Sequence, residues 1–223
     1  MADFQMPLAP GPMPATFALG LDLGQAEDYT ALAVASKVLP GDDPKASEYH
    51  FRLLKRWELG TPYTRIVADI VATVGAPPLL QMVRGSMSMG LVERQCSLAV
   101  DLGGPGRPVV NMLRDAHVKA KLFPVAITAG RKESYEKGEW HVSKQLLVFQ
   151  ALTRMQQQRV FFAPGLEHGE TLKQELQNYR IKLTDKGNET FSAREGAHDD
   201  LVLAMALAIW LGERGQKRLA IFA

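Results

Sequence analysis

The run Gly196-Ala197-His198-Asp199-Asp200-Leu201-Val202 sets two adjacent carboxylates at the head of an apolar stretch that continues to Ala208. Two further acids stand in similar company. Asp22 follows the apolar segment Leu19-Gly20-Leu21, and Asp101 follows Ser97-Leu98-Ala99-Val100. Carboxylates embedded in apolar segments and gathered by a fold repel one another and resist ionising unless a counter-charge joins them. A divalent cation supplies that charge, and hard oxygen donors suit Mg2+ or Mn2+. Each acid also has a plainer reading. An Asp after a strand is an ordinary turn residue, and either Asp199 or Asp200 would serve as the cap of the helix that follows. Only one of that pair can cap, so the other still needs a reason.

Placing these acids together is the work of the surrounding elements. Thr16 to Leu23 and Tyr29 to Ser36 read as neighbouring strands, and Tyr49 to Leu59 as a third that stops at Gly60-Thr61-Pro62. Ile66, Val67, Ile70, Val71 and Val74 recur at helical spacing over Tyr63 to Val74. A strand over Ser97 to Leu102, a helix over Pro108 to Ala116 and a strand over Phe123 to Thr128 imply a parallel crossover, hence an α/β fold. With the first strand beside the one ending in Asp101, Asp22 and Asp101 become neighbours at the sheet edge where sites form in open α/β sheets. Arg131 to Trp140 reads as a polar loop. Helices over Lys144 to Gln157 and Gly165 to Tyr179 flank a short strand, Arg159 to Ala163. Strand-like stretches Arg180 to Thr184 and Thr190 to Ala193 bracket the turn Asp185-Lys186-Gly187-Asn188, and the last helix runs from Asp199 to Gly212.

Composition narrows the class. With 223 residues, 46% hydrophobic and 22% charged, the chain can bury one substantial core. Its net charge of +2 is too small to argue for nucleic acid on its own. Cys96 is alone and forms no internal disulfide, and the His residues lack the Cys or Glu spacing of a zinc site. A reducing compartment fits. Met1 to Pro14, with Pro7, Pro10, Pro12 and Pro14, reads as a loose arm rather than a secretory leader. The expected organisation is a flexible arm over 1–15 and a single domain over 16–223. Leu201 to Leu211, the longest apolar run, falls well short of the ~20 residues that span a bilayer, so no membrane partner is expected.

Asp22-Leu23-Gly24 with Asp28 and Thr30-Ala31-Leu32, the strand ending in Asp101, Trp140-His141-Val142-Ser143-Lys144, and above all Gly196-Ala197-His198-Asp199-Asp200-Leu201-Val202 form a pattern. It resembles the nuclease domain of tailed-phage large terminase subunits, within the RNase H-like superfamily. The resemblance spans roughly Thr16 to Gly212. It implies a mixed central sheet flanked by helices, three antiparallel strands followed by parallel crossover strands, and a two-metal endonuclease that cuts duplex DNA during viral genome packaging. Carried over, Asp22, Asp101 and Asp199 would hold two Mg2+ or Mn2+ ions, with Asp200 a further ligand or the helix cap. The implied setting is the cytoplasm of a bacterial host, and the implied partners are double-stranded DNA, a separate packaging ATPase, a small terminase or a portal. The chain departs from the family in one respect: no Gly-x-x-x-x-Gly-Lys-Ser/Thr loop occurs, so it is expected to be either an excised or stand-alone nuclease domain or a subunit whose ATPase motor is encoded elsewhere.

Contacts to the phosphate backbone position DNA without reading its sequence. Lys144, Arg131, Lys132, Lys182, Lys186 and Arg194 are the candidates, with His198 beside the acids as a proton carrier or phosphate contact. Met82 to Met89 would make an adaptable contact surface. Two other readings use the same residues. A Holliday-junction resolvase of the same superfamily would act on branched DNA, and a DNA-binding or packaging-interaction module would keep the acids for structure alone. An actin-like or sugar-kinase ATPase, whose first phosphate loop Asp22-Leu23-Gly24 also resembles, needs a second comparable domain for which the chain is too short.

Overall fold

The computed structural model describes residues 16–24, 28–40, 43, 46–84, 91–130, 132–183, 189–193 and 198–214. It opens with three strands, β1 (Thr16–Asp22), β2 (Thr30–Val38) and β3 (Glu48–Trp57), then a helix, α1 (Tyr63–Val74). A hairpin of β4 (Gln81–Arg84) and β5 (Leu91–Arg94) precedes β6 (Cys96–Asp101), α2 (Gly106–Asp115) and β7 (Ala120–Thr128). Next come β8 (Ser134–Glu136), β9 (Glu139–Ser143), α3 (Lys144–Gln156), β10 (Val160–Phe162) and α4 (Gly169–Asn178). A second hairpin, β11 (Tyr179–Leu183) with β12 (Glu189–Ala193), leads to α5 (Asp200–Arg214).

Eight strands form one mixed sheet in the order β10-β3-β2-β1-β6-β7-β9-β8. β1, β2 and β3 run as an antiparallel meander, and β6, β7 and β9 continue from β1 in parallel. This is the expected triplet followed by crossover strands. Because β1, β6, β7 and β9 all point the same way, their C-terminal ends share one edge. Leu21 pairs with Val100, so the next residues along, Asp22 and Asp101, stand side by side there.

Residue size decides how the helices pack. Along β1 and β2, Leu19, Leu21, Leu32 and Val34 face the core under α1 and α2, while Ala18, Ala31, Ala33 and Ala35 face the core containing α5. The small face lets α5 lie close on the sheet. Leu201 to Gly212 are all buried, as a helix that is apolar all round requires. At Gly20 the approach is closest: a Cβ there would overlap the carbonyl oxygen of Ala204 and come within 2.7 Å of the Ala208 amide nitrogen. At the far end of α5 the buried Lys37 ammonium donates to the Gly212 carbonyl at 2.7 Å, a cation meeting the negative end of the helix. Among the described residues no helix is long and apolar enough to cross a membrane.

The structure departs from the expected elements in several places, β7 among them, which begins at Ala120 rather than Phe123. The stretch Arg131 to Trp140, expected as a loop, contains β8 and the start of β9, joined by a tight turn in which Lys137 and Gly138 both take positive φ, 51° and 85°. Gly138 accepts that backbone freely, and Lys137 is exposed enough to follow. The hairpin of β4 and β5 was not anticipated. α4 begins at Gly169 rather than Gly165, because Gly165 and His168 adopt φ of 68° and 61° and cannot continue a right-handed helix. Residues 1–15, expected as an arm, lie outside the described residues, as does most of the Met82 to Met89 surface.

Candidate active site

Asp22 at the end of β1 lies within electrostatic reach of Asp101 at the end of β6 and of Asp199 and Asp200 at the start of α5. Asp22 and Asp101 point to the α5 face of the sheet, alternating with inward-facing Leu21 and Val100 of the opposite face. Asp22, Asp101 and Asp200 are all buried, at 7%, 8% and 4% exposure. Burial pushes the carboxyl of Asp22 well above the usual range, and the charges of Asp101, Asp200 and Asp199 push it further. Asp101 is also raised by burial, against hydrogen bonds from the backbone around Gly103, Ile127 and Leu102. Burial raises Asp200 to about 6, with His198 and Arg56 opposing. One oxygen of Asp101 and one of Asp200, Oδ1 and Oδ2 respectively, are buried without a hydrogen-bond partner.

Loop backbone around these acids is tightly built. A Cβ at Gly24 would overlap the backbone of Asp28, so the return loop is tucked against the end of β1. Gly24 donates its N–H to Thr30 Oγ1 at 3.2 Å and accepts from the Tyr63 hydroxyl at 2.8 Å. Asp28 is thereby brought to the site. The ligand atoms of Asp28, His198 and Asp200 lie within 4.8 Å of one another. His198 Nδ1 is 3.9 Å from both Asp28 Oδ1 and Asp200 Oδ2, and its ring meets Tyr29 edge-on at 5.0 Å.

The adjacent acids at the start of α5 have different partners. Asp199 Oδ2 accepts from Lys144 Nζ at 2.7 Å, and the charge of Lys144, the first residue of α3, partly opposes the rise of the Asp22 and Asp101 carboxyls. Asp200, one residue on and about 100° round the helix, turns inward. The capping expected from one of these two comes from a distant acid instead: Glu175 Oε2 of α4 accepts from the amides of Leu201 and Val202 at 3.0 and 3.1 Å. Arg56 holds the other Glu175 oxygen at 3.4 Å and lies 3.5 Å over the Tyr29 ring. Burial lifts Glu175 to about 7.

Removing this cap should be felt throughout α5. Glu175→Ala is expected to destabilise the protein by about 2 kcal/mol, because two buried helix amides and the partly buried Arg56 guanidinium lose their acceptor. Glu175→Gln, which keeps one carbonyl oxygen, should cost less than half as much. Urea unfolding midpoints of the two variants check both values.

Of the basic candidates, Lys144 and His198 stand among the acids. Lys132 is exposed and follows the end of β7, on the same sheet edge. Arg131, Lys186 and Arg194 lie outside the described residues, and Lys182 falls on β11. The sequence reading missed Glu175 and Arg56. A signal for the first was present: Glu175 stands three residues after buried Leu172, an acid on the inward face of an amphipathic helix.

No family model matches the sequence, and no curated protein does. Solved structures do resemble it. The large terminase nuclease of thermophilic phage G20c superposes with a TM-score of 0.59 at 20% identity, covering 86% of this chain and 80% of that one. The nuclease domain of the large terminase of Thermus phage P74-26 gives 0.58 at 19% identity, over 86% and 77%. The nuclease domain of the large terminase g2p of bacteriophage SPP1 gives 0.52 at 10% identity, over 88% and 86%. With its mixed eight-stranded sheet and flanking helices, the chain has the RNase H-like fold of large terminase nuclease domains.

Proposed function

We propose that the chain is a metal-dependent endonuclease that cuts duplex DNA, with the acid cluster as its metal centre. The observation that carries this reading is that one buried carboxylate oxygen of Asp101 and one of Asp200 have no hydrogen-bond partner, near Asp22 and with Lys144 as the nearby counter-charge. An acid cluster kept only for structure would have its oxygens satisfied by protein donors. Hard oxygen donors fit Mg2+ and Mn2+. The G20c nuclease was crystallised with bound magnesium and with cobalt, and the SPP1 domain with bound Mn.

In this reading Asp22, Asp101 and Asp200 would hold the metal, with Asp28 and His198, whose ligand atoms lie within 4.8 Å of Asp200, as further donors. Asp199 orients Lys144, whose ammonium faces the edge where a phosphate would arrive. Two divalent ions so placed would make an attacking water acidic and stabilise the departing sugar oxygen. The protein supplies no nucleophile of its own. Lys144 and Lys132 would meet phosphate oxygens and so set the position of the DNA without reading its sequence.

Purified protein is expected to nick and linearise supercoiled plasmid with Mn2+ or Mg2+ and to leave it intact in EDTA. Cleavage that persists in EDTA, or its absence with both metals, would count against the proposal. A milder perturbation tests the geometry. A Cβ at Gly103 would stand 2.7 Å from Asp101 Oδ2, so Gly103→Ala must displace that carboxylate. Gly103 is exposed and not at positive φ, so the fold should be retained while metal affinity falls about 10- to 100-fold. Mn2+ titration by calorimetry reads the change.

A further inference from the structure

Beside the acids, on the His198 side, a cavity of about 480 Å3 opens between the end of β3 and α4. Tyr29 and Arg56 line one side, Thr171, Gln174 and Asn178 the other, and His198 separates it from Asp200. The three α4 residues fall at i, i+3 and i+7 and therefore share one face of the helix. Arg56 Cζ lies over the Tyr29 ring at 3.5 Å and its guanidinium is tethered to Glu175 at 3.4 Å, which presents a held guanidinium as one wall.

Volume and chemistry together choose the occupant. The cavity falls within the usual size of small-molecule sites. Glu58 and Glu175 also line it, and they disfavour a phosphate. Uncharged amide and hydroxyl groups suit the hydrogen-bonding edge of a nucleobase, and a guanidinium plane suits its face. Gln and Asn amides match adenine best, through its N6 and N7.

We propose that this cavity receives one unstacked base of the strand lying on the acids, with adenine favoured through Gln174 and Asn178. The inference rests on the DNA reading above. Extruding a base costs a few kcal/mol and least when the base is already unpaired, so the site should prefer DNA with an unpaired nucleotide.

Binding in EDTA tests this without any cleavage. Fluorescein-labelled 20-base-pair duplexes, fully paired or carrying one central unpaired A, C, G or T, are titrated and read by anisotropy. The A-bulged duplex should bind about tenfold tighter than the paired one and tighter than the other bulges. In Gln174→Ala/Asn178→Ala the preference for the A bulge should vanish; both positions are exposed, and an unchanged Tm would confirm that the fold is retained. Equal binding of all duplexes by the wild type, or an A preference that survives the double substitution, overturns the pocket assignment alone. Failure of every duplex to bind, both in EDTA and with Ca2+ supplied as a counter-charge to the acids, overturns the DNA reading itself, and the pocket assignment with it.

Discussion

Asp22→Asn is expected to lower metal-dependent plasmid cleavage by more than about 100-fold and, in EDTA, to raise the thermal midpoint by at least about 2 °C. The two effects share one cause. Asp22 is buried beside Asp101 and within the field of Asp199 and Asp200, with Lys144 as the nearby cation. Without metal, ionising this group works against folding; a neutral amide of the same shape removes that cost, and each kcal/mol gained moves Tm by roughly 2–4 °C in a chain of this size. With metal, the same carboxylate becomes a ligand. Loss of an outer partner of a metal site already costs 10- to 100-fold, so loss of a direct ligand costs more. The wild type should gain about 2.7 kcal/mol from Mn2+ at one hundred times its dissociation constant, and the variant little. A fall in Tm in EDTA would assign Asp22 a structural role. Retained cleavage would remove it from the site.

Gly20→Ala tests the packing that carries the acids. A methyl at Gly20 meets the backbone of α5 at Ala204 and Ala208, and backbone cannot swing aside as a side chain does. The helix must lift from β1, at a cost of about 3 kcal/mol, or roughly 6–12 °C in Tm. Lifting α5 also draws Asp200 away from Asp22. The Mn2+-induced rise in Tm should therefore shrink by more than half in Gly20→Ala, whereas Ala33→Ser, on the same face of β2, should lower stability without reducing the metal response. Differential scanning fluorimetry with and without Mn2+ separates the two.

Much of this architecture can be read directly from residue pattern. Apolar stretches over Thr16 to Leu23 and Ser97 to Leu102, with an antiparallel triplet ahead of a strand–helix–strand crossover, are enough to set the first strand beside the one ending in Asp101 and so bring two acids to a common edge. The α1 helix over Tyr63–Val74 agrees residue for residue with its apolar spacing. Other features depend on contacts remote in sequence. Asp199 and Asp200 are equivalent as text, and only the seating of α5 on Gly20 turns one toward Lys144 and the other inward. Glu175 acts across 26 residues as the cap of a helix that carries acids of its own. The β8–β9 hairpin hid because its strands are short and polar and its turn uses Lys137-Gly138 rather than Asn-Gly.

If Asp22, Asp101 and Asp200 bind metal as proposed, two divalent ions occupy this cluster together. Crystals soaked in millimolar Mn2+ and measured for anomalous scattering test it most directly. Two Mn peaks roughly 3.5–4 Å apart among these carboxylates are the expected result. An anomalous map with no peak among these carboxylates, in crystals that otherwise diffract well, would contradict it.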